Sequence, residues 1–221
     1  MIYYLYTNNN TELAVSYRGN YSSAYSDEYS GDIIIPDTVT YNGKTLKVTS
    51  IDRYAFSGCS GLTSITIPES VTSIGEYAFQ YCSSLTSITI PEGVTSISNS
   101  TFNGCNSLTS VRVGSSVTNI GVKAFANCTK IEDFYCYAVR YPNVSADAFN
   151  NSYIDYITLH VPERALKQYK AHEVWGKFME IVPIGKEEEI DPRSGDIDHD
   201  GHFTVSDITT LINMYLEYEG E

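Results

Sequence analysis

Residues 74–96 read IGEYAFQYCSSLTSITIPEGVTS, and this 23-residue unit decides the fold of the chain. The same pattern occupies residues 51–73 (IDRYAFSGCSGLTSITIPESVTS) and residues 97–119 (ISNSTFNGCNSLTSVRVGSSVTN), and a fourth unit begins at Ile120. One cysteine marks each unit, at the positions Cys59, Cys82, Cys105 and Cys128. A fixed period of this kind is typical of proteins built from stacked structural repeats.

Each unit contains one predicted strand with the spacing L-x-x-I-x-I. Alternation along a strand places these apolar side chains on a single face. The positions are Leu62, Ile65 and Ile67, then Leu85, Ile88 and Ile90, then Leu108, Val111 and Val113, with one phenylalanine per unit at Phe56, Phe79, Phe102 and Phe125. One unit cannot bury this much apolar surface alone, so the pattern predicts a solenoid whose stacked coils share a continuous core.

The unit I-G-x-x-A-F-x-x-C-x-S-L-T-S-I-T-I-P-x-x-V-T-S resembles the BspA-type leucine-rich repeat of bacterial surface proteins, and the resemblance covers residues 51–145. It implies a mainly β protein with short helices, arranged as a right-handed leucine-rich-repeat solenoid. It also implies a non-catalytic protein, extracellular or on the bacterial cell surface, that serves adhesion or the recognition of a host, glycan or protein ligand. The sequence contains no G-x-S-x-G motif, His-rich metal motif or nucleotide-binding glycine loop, so we expect no enzymatic activity.

The ends of a solenoid expose unpaired backbone and core, so the flanking segments are predicted to be caps. Asn42 and Gly43 suit a type I′ turn and predict a hairpin before the first repeat. Trp175 is expected to cover the last repeat. The expected order is an N-terminal β cap (residues 1–50), the repeats (51–145), a C-terminal strand and helix cap (146–184), a charged linker (185–194) and a small loop–helix calcium module (195–221).

The cysteines are predicted to be free thiols that fill the core. Cys is among the most buried residue types even when unpaired, and equivalent positions of a repeat stack in a ladder. No histidine shares their register, so we do not expect them to bind a metal. The spacing of Cys136 from His160 or His172 does not support a catalytic pair.

Outward positions of the repeated strands carry mostly hydroxyl groups. They are Thr63, Ser64, Thr66, Thr86, Ser87, Thr89, Thr109, Ser110 and Arg112. Two interpretations remain open for them. The hydroxyls suit any solvent-exposed strand, or they form a recognition face for a glycan or protein, since solenoids present extended surfaces.

Residues 196–207 read DIDHDGHFTVSD and follow a D-x-D-x-D-G pattern over a 12-residue loop. Ca²⁺ prefers six to eight oxygen ligands, and Gly201 permits the sharp turn that brings them together. An apolar helix face follows the loop, from Ile208 to Tyr215. The predicted ligands are Asp196, Asp198, Asp200, the backbone carbonyl of His202, Thr204 and Asp207.

The stretch over residues 195–216 resembles a type I dockerin repeat, because Asp207 stands where an EF-hand has glutamate and no helical pattern precedes the loop. The resemblance implies calcium binding and raises an alternative function. The chain would then be a component of a polysaccharide-degrading, cellulosome-like assembly, attached through a cohesin partner. Dockerins contain two such repeats, whereas this sequence contains one.

The net charge of −13 is concentrated in the C-terminal tail. Residues 186–221 hold 11 acidic and 2 basic residues, a net of −9, and the first 185 residues hold 16 acidic and 12 basic, a net of −4. This charge disfavours nucleic acid as a partner. No apolar run approaches the roughly 18 residues of a membrane span. The first residues lack signal-peptide features, and we expect a leader that this sequence does not include.

Overall fold

A computed structural model describes residues 2–7, 10–17 and 29–185 of the chain. The chain divides into two units, Met1–Val182 and Pro183–Glu221, and the core considered below belongs to the first. The described part is mainly β with one short helix, as expected. The strands are β1 (Tyr3–Thr7), β2 (Glu12–Ser16), β3 (Gly31–Ile34), β4 (Thr38–Tyr41), β5 (Lys44–Ile51), β6 (Leu62–Thr66), β7 (Ser73–Ile74), β8 (Ser87–Ile90), β9 (Ser96–Ile97), β10 (Ser110–Val113), β11 (Asn119–Ile120), β12 (Asp133–Cys136), β13 (Asn143–Val144), β14 (Thr158–Val161) and β15 (Glu180–Pro183), and the helix is α1 (Leu166–Lys170).

Each repeat contributes one longer and one shorter strand, and these belong to two different sheets. Most of the longer strands belong to a five-stranded sheet in the order β15-β14-β12-β10-β8, while the shorter strands β7, β9, β11 and β13 extend a sheet that starts at β1, β2 and β5. The longer strand of the first repeat, β6, pairs instead with β3 in a two-stranded sheet. Strands of successive repeats pair in parallel, with Val111 opposite Ile88 on one side and Phe134 on the other. The 23-residue period therefore sets the register, because equivalent residues become direct neighbours.

The repeated apolar positions form one continuous core, as the sequence predicted. The side chains of Leu85, Leu108 and Val111 are fully buried. The phenylalanines stack face to face from coil to coil, with ring centroids 5.0 Å apart between Phe56 and Phe79 and 5.2 Å apart between Phe79 and Phe102. These separations are close to the spacing of hydrogen-bonded strands, so the ladder of rings has the same rise as the sheets.

The cysteines form a second ladder beside the rings. All five cysteines are free and buried, which confirms the prediction of Cys59, Cys82, Cys105 and Cys128 as core residues. The thiol of Cys82 donates to the carbonyl oxygen of Phe56 at 3.1 Å, and that of Cys105 donates to Phe79 at 3.2 Å. The thiols of Cys82, Cys105 and Cys128 thus fill small spaces and also satisfy a backbone carbonyl of the preceding coil, where an unpaired acceptor would be costly.

At the N-terminal end, β4 and β5 form the predicted hairpin. Asn42 has φ 49° and Gly43 has φ 74°, as a type I′ turn requires. Strand β2 pairs in parallel with β5 and in antiparallel fashion with β1. The sheet of shorter strands, which we call the second sheet, therefore continues through β5, β2 and β1 on the N-terminal side of β7.

At the C-terminal end, Trp175 closes the core, as predicted. Its ring is fully buried and contacts Phe134, Phe149 and Phe178. The indole N–H donates to the carbonyl oxygen of Pro142 at 3.1 Å, so the polar end of the side chain is satisfied. The predicted helix after Pro162 is present as a 3₁₀ turn, Glu163–Ala165, followed by α1.

Behind this cap, Cys136 lies 3.2 Å from the hydroxyl oxygen of Tyr169. The Tyr169 hydroxyl donates to the carbonyl oxygen of Ala138 at 2.9 Å, which leaves the thiol as the donor of the shared hydrogen bond. Burial raises the pKa of Cys136 to about 11, and burial likewise raises the pKa of Tyr169. Neither group ionises near neutral pH, so both act as structural hydrogen-bonding groups.

We expect Phe102→Ala to lower the free energy of unfolding by about 3–5 kcal/mol, because Phe102 is fully buried between two stacked rings and its loss leaves a cavity. Urea unfolding followed by circular dichroism measures the change. Val122→Ala removes a half-exposed side chain next to the same coil and is expected to change stability by about 0.5 kcal/mol or less. Equal effects of the two substitutions would contradict a continuous ring ladder.

We also expect stability to fall as the pH rises above about 8.5, the ordinary pKa of an unfolded thiol. Above that pH the unfolded chain loses the Cys136 proton, whereas the folded chain keeps it until the pH approaches about 11. The folded state then binds more protons than the unfolded state, so the free energy of unfolding decreases with pH. Tyr169 contributes with the same sign.

Urea unfolding across this alkaline window measures the slope of stability against pH. The matched variant is Cys136→Ala, which removes one titrating group and is expected to give a shallower slope. An identical slope in this variant would show that the thiol is not protected by the fold.

Candidate recognition face

The nine outward positions singled out from the sequence lie on or next to strands β6, β8 and β10. Their side chains are exposed or partly exposed, while the alternate positions are buried. Register aligns the residues of β8 and β10 in rows, because Ser87 is opposite Ser110 and Thr89 is opposite Arg112. Strand β6 belongs to a separate two-stranded sheet with β3, and it lies beside this surface because the Thr86 amide donates to the carbonyl oxygen of Thr63 at 3.3 Å. The structure therefore brings them together on one surface, which we call the recognition face together with the outward residues of β12 and β14.

Four of these hydroxyls already have partners within the protein. Thr86 Oγ1 donates to the carbonyl oxygen of Thr63 at 3.4 Å, and Thr109 Oγ1 donates to that of Thr86 at 3.1 Å. Ser64 and Thr63 donate to one carboxylate oxygen of Asp32, at 2.7 and 2.8 Å, and these hydrogen bonds lower the pKa of Asp32. The hydroxyls at the start of each strand therefore also connect neighbouring coils.

In the row that begins at Thr89, the hydroxyl side chain is followed by charged and aromatic side chains towards the C-terminal end. Arg112 is opposite Tyr135, and Tyr135 is opposite His160. The guanidinium carbon of Arg112 lies 4.7 Å from the centre of the Tyr135 ring. The Tyr135 and His160 rings stack at 4.1 Å with an interplanar angle of 14°. We call these three residues the Arg–Tyr–His stack.

Asp133 completes this group from the neighbouring row. Its carboxylate oxygen Oδ1 accepts a hydrogen bond from Nε2 of His160 at 2.7 Å. The His160 side chain is largely buried and the Asp133 side chain is partly exposed. The histidine ring is therefore fixed on its face by Tyr135 and at its edge by Asp133.

Sequence reasoning missed Tyr135, His160 and Asp133 as parts of the face. Adding 23 residues to Arg112 gives Tyr135, so the period was sufficient to find that position. His160 lies 25 residues beyond Tyr135, because the chain between β12 and β14 is two residues longer than a repeat. No motif in the sequence marks this insertion.

A second aromatic group lies on the other side of the coils. Tyr54 and Tyr77 stack at 4.9 Å, and the Arg53 guanidinium lies 4.9 Å from the centre of the Tyr54 ring. Arg53 also forms an ion pair with Glu76 at 3.4 Å. Since these groups are largely exposed, the pair contributes little to stability. Arg53 therefore has an acidic partner of its own.

Two concavities are also present in the described part. One, of about 660 Å³, lies along the second sheet beside Leu5, Tyr6 and Arg53. The other, of about 380 Å³, lies beside the exposed Tyr153 and Tyr156. Both are open to solvent, and neither contains a cluster of catalytic groups.

Within residues 2–7, 10–17 and 29–185, no group of three His, Cys, Asp or Glu side chains is arranged to hold a metal ion. The predicted calcium ligands, Asp196 to Asp207, lie outside the described residues, as do all but the first residue of the predicted linker. No helix in the described segments is long and apolar enough to cross a membrane.

The parallel strands, the repeated leucine and isoleucine core and the 23-residue register define a leucine-rich repeat protein. Residues 47–169 match the model for the BspA type leucine rich repeat region in six copies. This match covers more than half of the chain, and the protein therefore belongs to the BspA-type leucine-rich repeat family. Leucine-rich repeat proteins are generally non-enzymatic scaffolds.

Solved structures with a similar fold are leucine-rich repeat proteins. The T. pallidum leucine-rich repeat protein is 21% identical with a TM-score of 0.61, over 82% of this chain and 80% of that one. A leucine-rich repeat protein from Eubacterium ventriosum is 18% identical with a TM-score of 0.51, over 80% of this chain and 49% of that one. Likeness at this level of identity concerns the fold alone. No curated protein matches this chain in sequence.

Proposed function

We propose that this protein is a non-catalytic binding protein, extracellular or on the bacterial cell surface, which recognises a glycan or protein ligand through the recognition face. The observation that carries the proposal is the change within one row of that face, from the hydroxyl of Thr89 to the Arg–Tyr–His stack. We take the stacked coils to form a right-handed solenoid, an architecture that presents such extended surfaces to partners.

The family supports the location. BspA-type leucine-rich repeat proteins are surface proteins. A surface protein without catalytic groups acts by binding, and adhesion or host contact is the corresponding function. A shared fold does not specify a ligand, so the class of ligand has to be inferred from the side chains of the recognition face.

The face is suited to binding because its backbone is fixed. Strands β10 and β12 are paired in parallel on both sides, and β8 and β14 flank them. Side chains on such strands stand in rows about 4.8 Å apart, and they require little reordering when a ligand binds. Rigid presentation of hydroxyl, guanidinium and aromatic groups favours recognition of a polar ligand.

We expect Thr89→Glu to weaken ligand binding by at least about tenfold, because a bulky anion is introduced in the middle of the face and must be desolvated by the ligand. An array of glycans and host proteins, used with and without Ca²⁺, identifies the ligand, and titration of the best ligand measures the loss. Thr95→Glu adds the same charge to the same coil but at an exposed position next to the second sheet.

Thr95→Glu is expected to bind like the unmodified protein. Equal loss in both variants would point to a general effect of charge, and no loss in Thr89→Glu would place the binding surface elsewhere. Circular dichroism of both variants checks that the coils are intact.

We further propose that the C-terminal tail binds one Ca²⁺ through Asp196, Asp198, Asp200, the carbonyl of His202, Thr204 and Asp207. The support is the spacing of the ligands and Gly201 at the turn. The double change Asp198→Asn and Asp200→Asn removes two carboxylate charges from the site. We expect it to abolish calcium binding in calorimetry of the full chain.

Asp191→Asn serves as the control, since it removes an acidic charge that precedes the loop. It is expected to leave calcium affinity unchanged. Absence of a binding heat in the unmodified protein would eliminate the calcium site.

The alternative function follows from the same tail. A dockerin-like repeat would attach the protein to a cohesin domain within a polysaccharide-degrading assembly. Residues 195–216 carry the resemblance with a single repeat, and we therefore favour surface recognition. Nanomolar, calcium-dependent binding to a cohesin panel would reverse this preference.

A further inference from the structure

We propose that Arg112, held against the ring of Tyr135, binds the carboxylate of an acidic sugar on the recognition face. The inference deepens the proposed function and rests on it. It assigns a ligand class, a glycan that contains a uronic or sialic acid, to a surface for which the fold indicates binding only in general.

The guanidinium of Arg112 is held in place by its neighbours on the sheet. Strand β12 lies between β10 and β14, so the Tyr135 side chain separates Arg112 from His160. One face of the Tyr135 ring contacts the guanidinium at 4.7 Å, and the ring stacks on His160 at 4.1 Å. Tyr135 is itself buried. The stack therefore restricts the plane of the guanidinium and leaves its edge for bidentate hydrogen bonds.

Among the described residues, Arg112 has no anionic partner, whereas Arg53 pairs with Glu76. The Nε atom of Arg112 is buried and has no hydrogen-bond acceptor in that same part of the chain. A guanidinium donor without an acceptor is unfavourable when buried, and an oxyanion that binds at this edge of Arg112 would supply the missing acceptor.

Asp133 is an acidic residue on β12, the strand next to Arg112, and it has a partner of its own. Its Oδ1 atom accepts the hydrogen bond from His160 at 2.7 Å, and its position is in the neighbouring row, opposite Ser110. The histidine thereby holds the carboxylate on the side away from Arg112. Asp133 and His160 thus act as positioning residues that keep the guanidinium unneutralised.

The side chains around Arg112 favour a sugar over a protein as the source of the carboxylate. Protein interfaces have an apolar centre with large aromatic or aliphatic side chains. Among the described residues, no large exposed apolar side chain lies on β8, β10, β12 or β14, and the exposed Ile34 is opposite Thr66, at the far end of the recognition face from Tyr135 and His160. Around Arg112 the outward side chains include Thr89, Ser87 and Ser110, whose hydroxyls match the hydroxyls of a saccharide.

The test uses the full chain and an array on which each acidic oligosaccharide, containing glucuronate, galacturonate or sialate, is printed beside its methyl ester. An acidic peptide of glutamate residues is included. The ester keeps the sugar ring and removes the negative charge. We expect binding to the free acids to exceed binding to the esters by at least about tenfold, as one charge-assisted bidentate contact provides.

The variants are Arg112→Gln, Arg112→Lys and Arg140→Gln. Arg112→Gln is expected to lose the preference for the free acid. Arg112→Lys is expected to lose most of it, because a lysine keeps the charge but not the planar fork. Arg140→Gln makes the same change in net charge at an exposed position outside the sheet and is expected to bind like the unmodified protein.

Equal binding of acids and esters, or an unchanged preference in Arg112→Gln, would overturn the inference, and so would a failure of every acidic sugar to bind. Binding of the glutamate peptide alone would replace the sugar with a protein ligand. Binding that disappears in EDTA would assign the carboxylate to the calcium tail. A further outcome is that the three arginine variants bind neutral glycans as the unmodified protein does, whereas Thr89→Glu loses this binding. That outcome would retain the recognition face and eliminate only the carboxylate site.

Discussion

Every coil has to present the same apolar side chains to the coil before it, because the coils share a single core and pair in parallel at a fixed register. This constraint appears most directly in the rings. Tyr29 lies 4.7 Å from Phe56 at one end of the ladder, and Phe149 lies 5.6 Å from Phe125 near the other. The sheets connect the same successive coils as the rings do, since Ile88 of one coil is directly opposite Val111 of the next.

The same register imposes a backbone conformation outside the strands. Tyr54, Tyr77, Ser100 and Lys123 are equivalent residues of four repeats, and each has a φ between 53° and 62°. Left-handed conformations are unfavourable for residues other than glycine, and they persist only where the surrounding structure determines them. Here the compensation is local, because the amides of Tyr77 and Ser100 donate to carbonyls of the next coil at 3.2 and 2.9 Å. The strain recurs because the coil geometry recurs.

The inward-facing half of the fold was predictable from the sequence because a core side chain is restricted in size and polarity at every repeat. The hairpin at Asn42 was predictable from turn geometry, and Trp175 from the need to close an open end. The pairing of β3 with β6 was not, since residues 31–34 lack the repeat motif. His160 was missed because a two-residue insertion shifts it out of the period.

Outward positions are not restricted by packing in the core. This explains why the charged and aromatic side chains of the recognition face can be confined to one end of it. A side chain such as Thr89 is not restricted by the core, so its equivalents in later coils can change without loss of the fold. Arg112, Tyr135 and His160 occupy equivalent places in the row, yet they share no residue type. The stack they form buries Tyr135 and fixes Arg112, which a row of hydroxyls does not do. In a repeat protein, departures from the repeat on a rigid outer surface are therefore where specific recognition can arise without cost to the core.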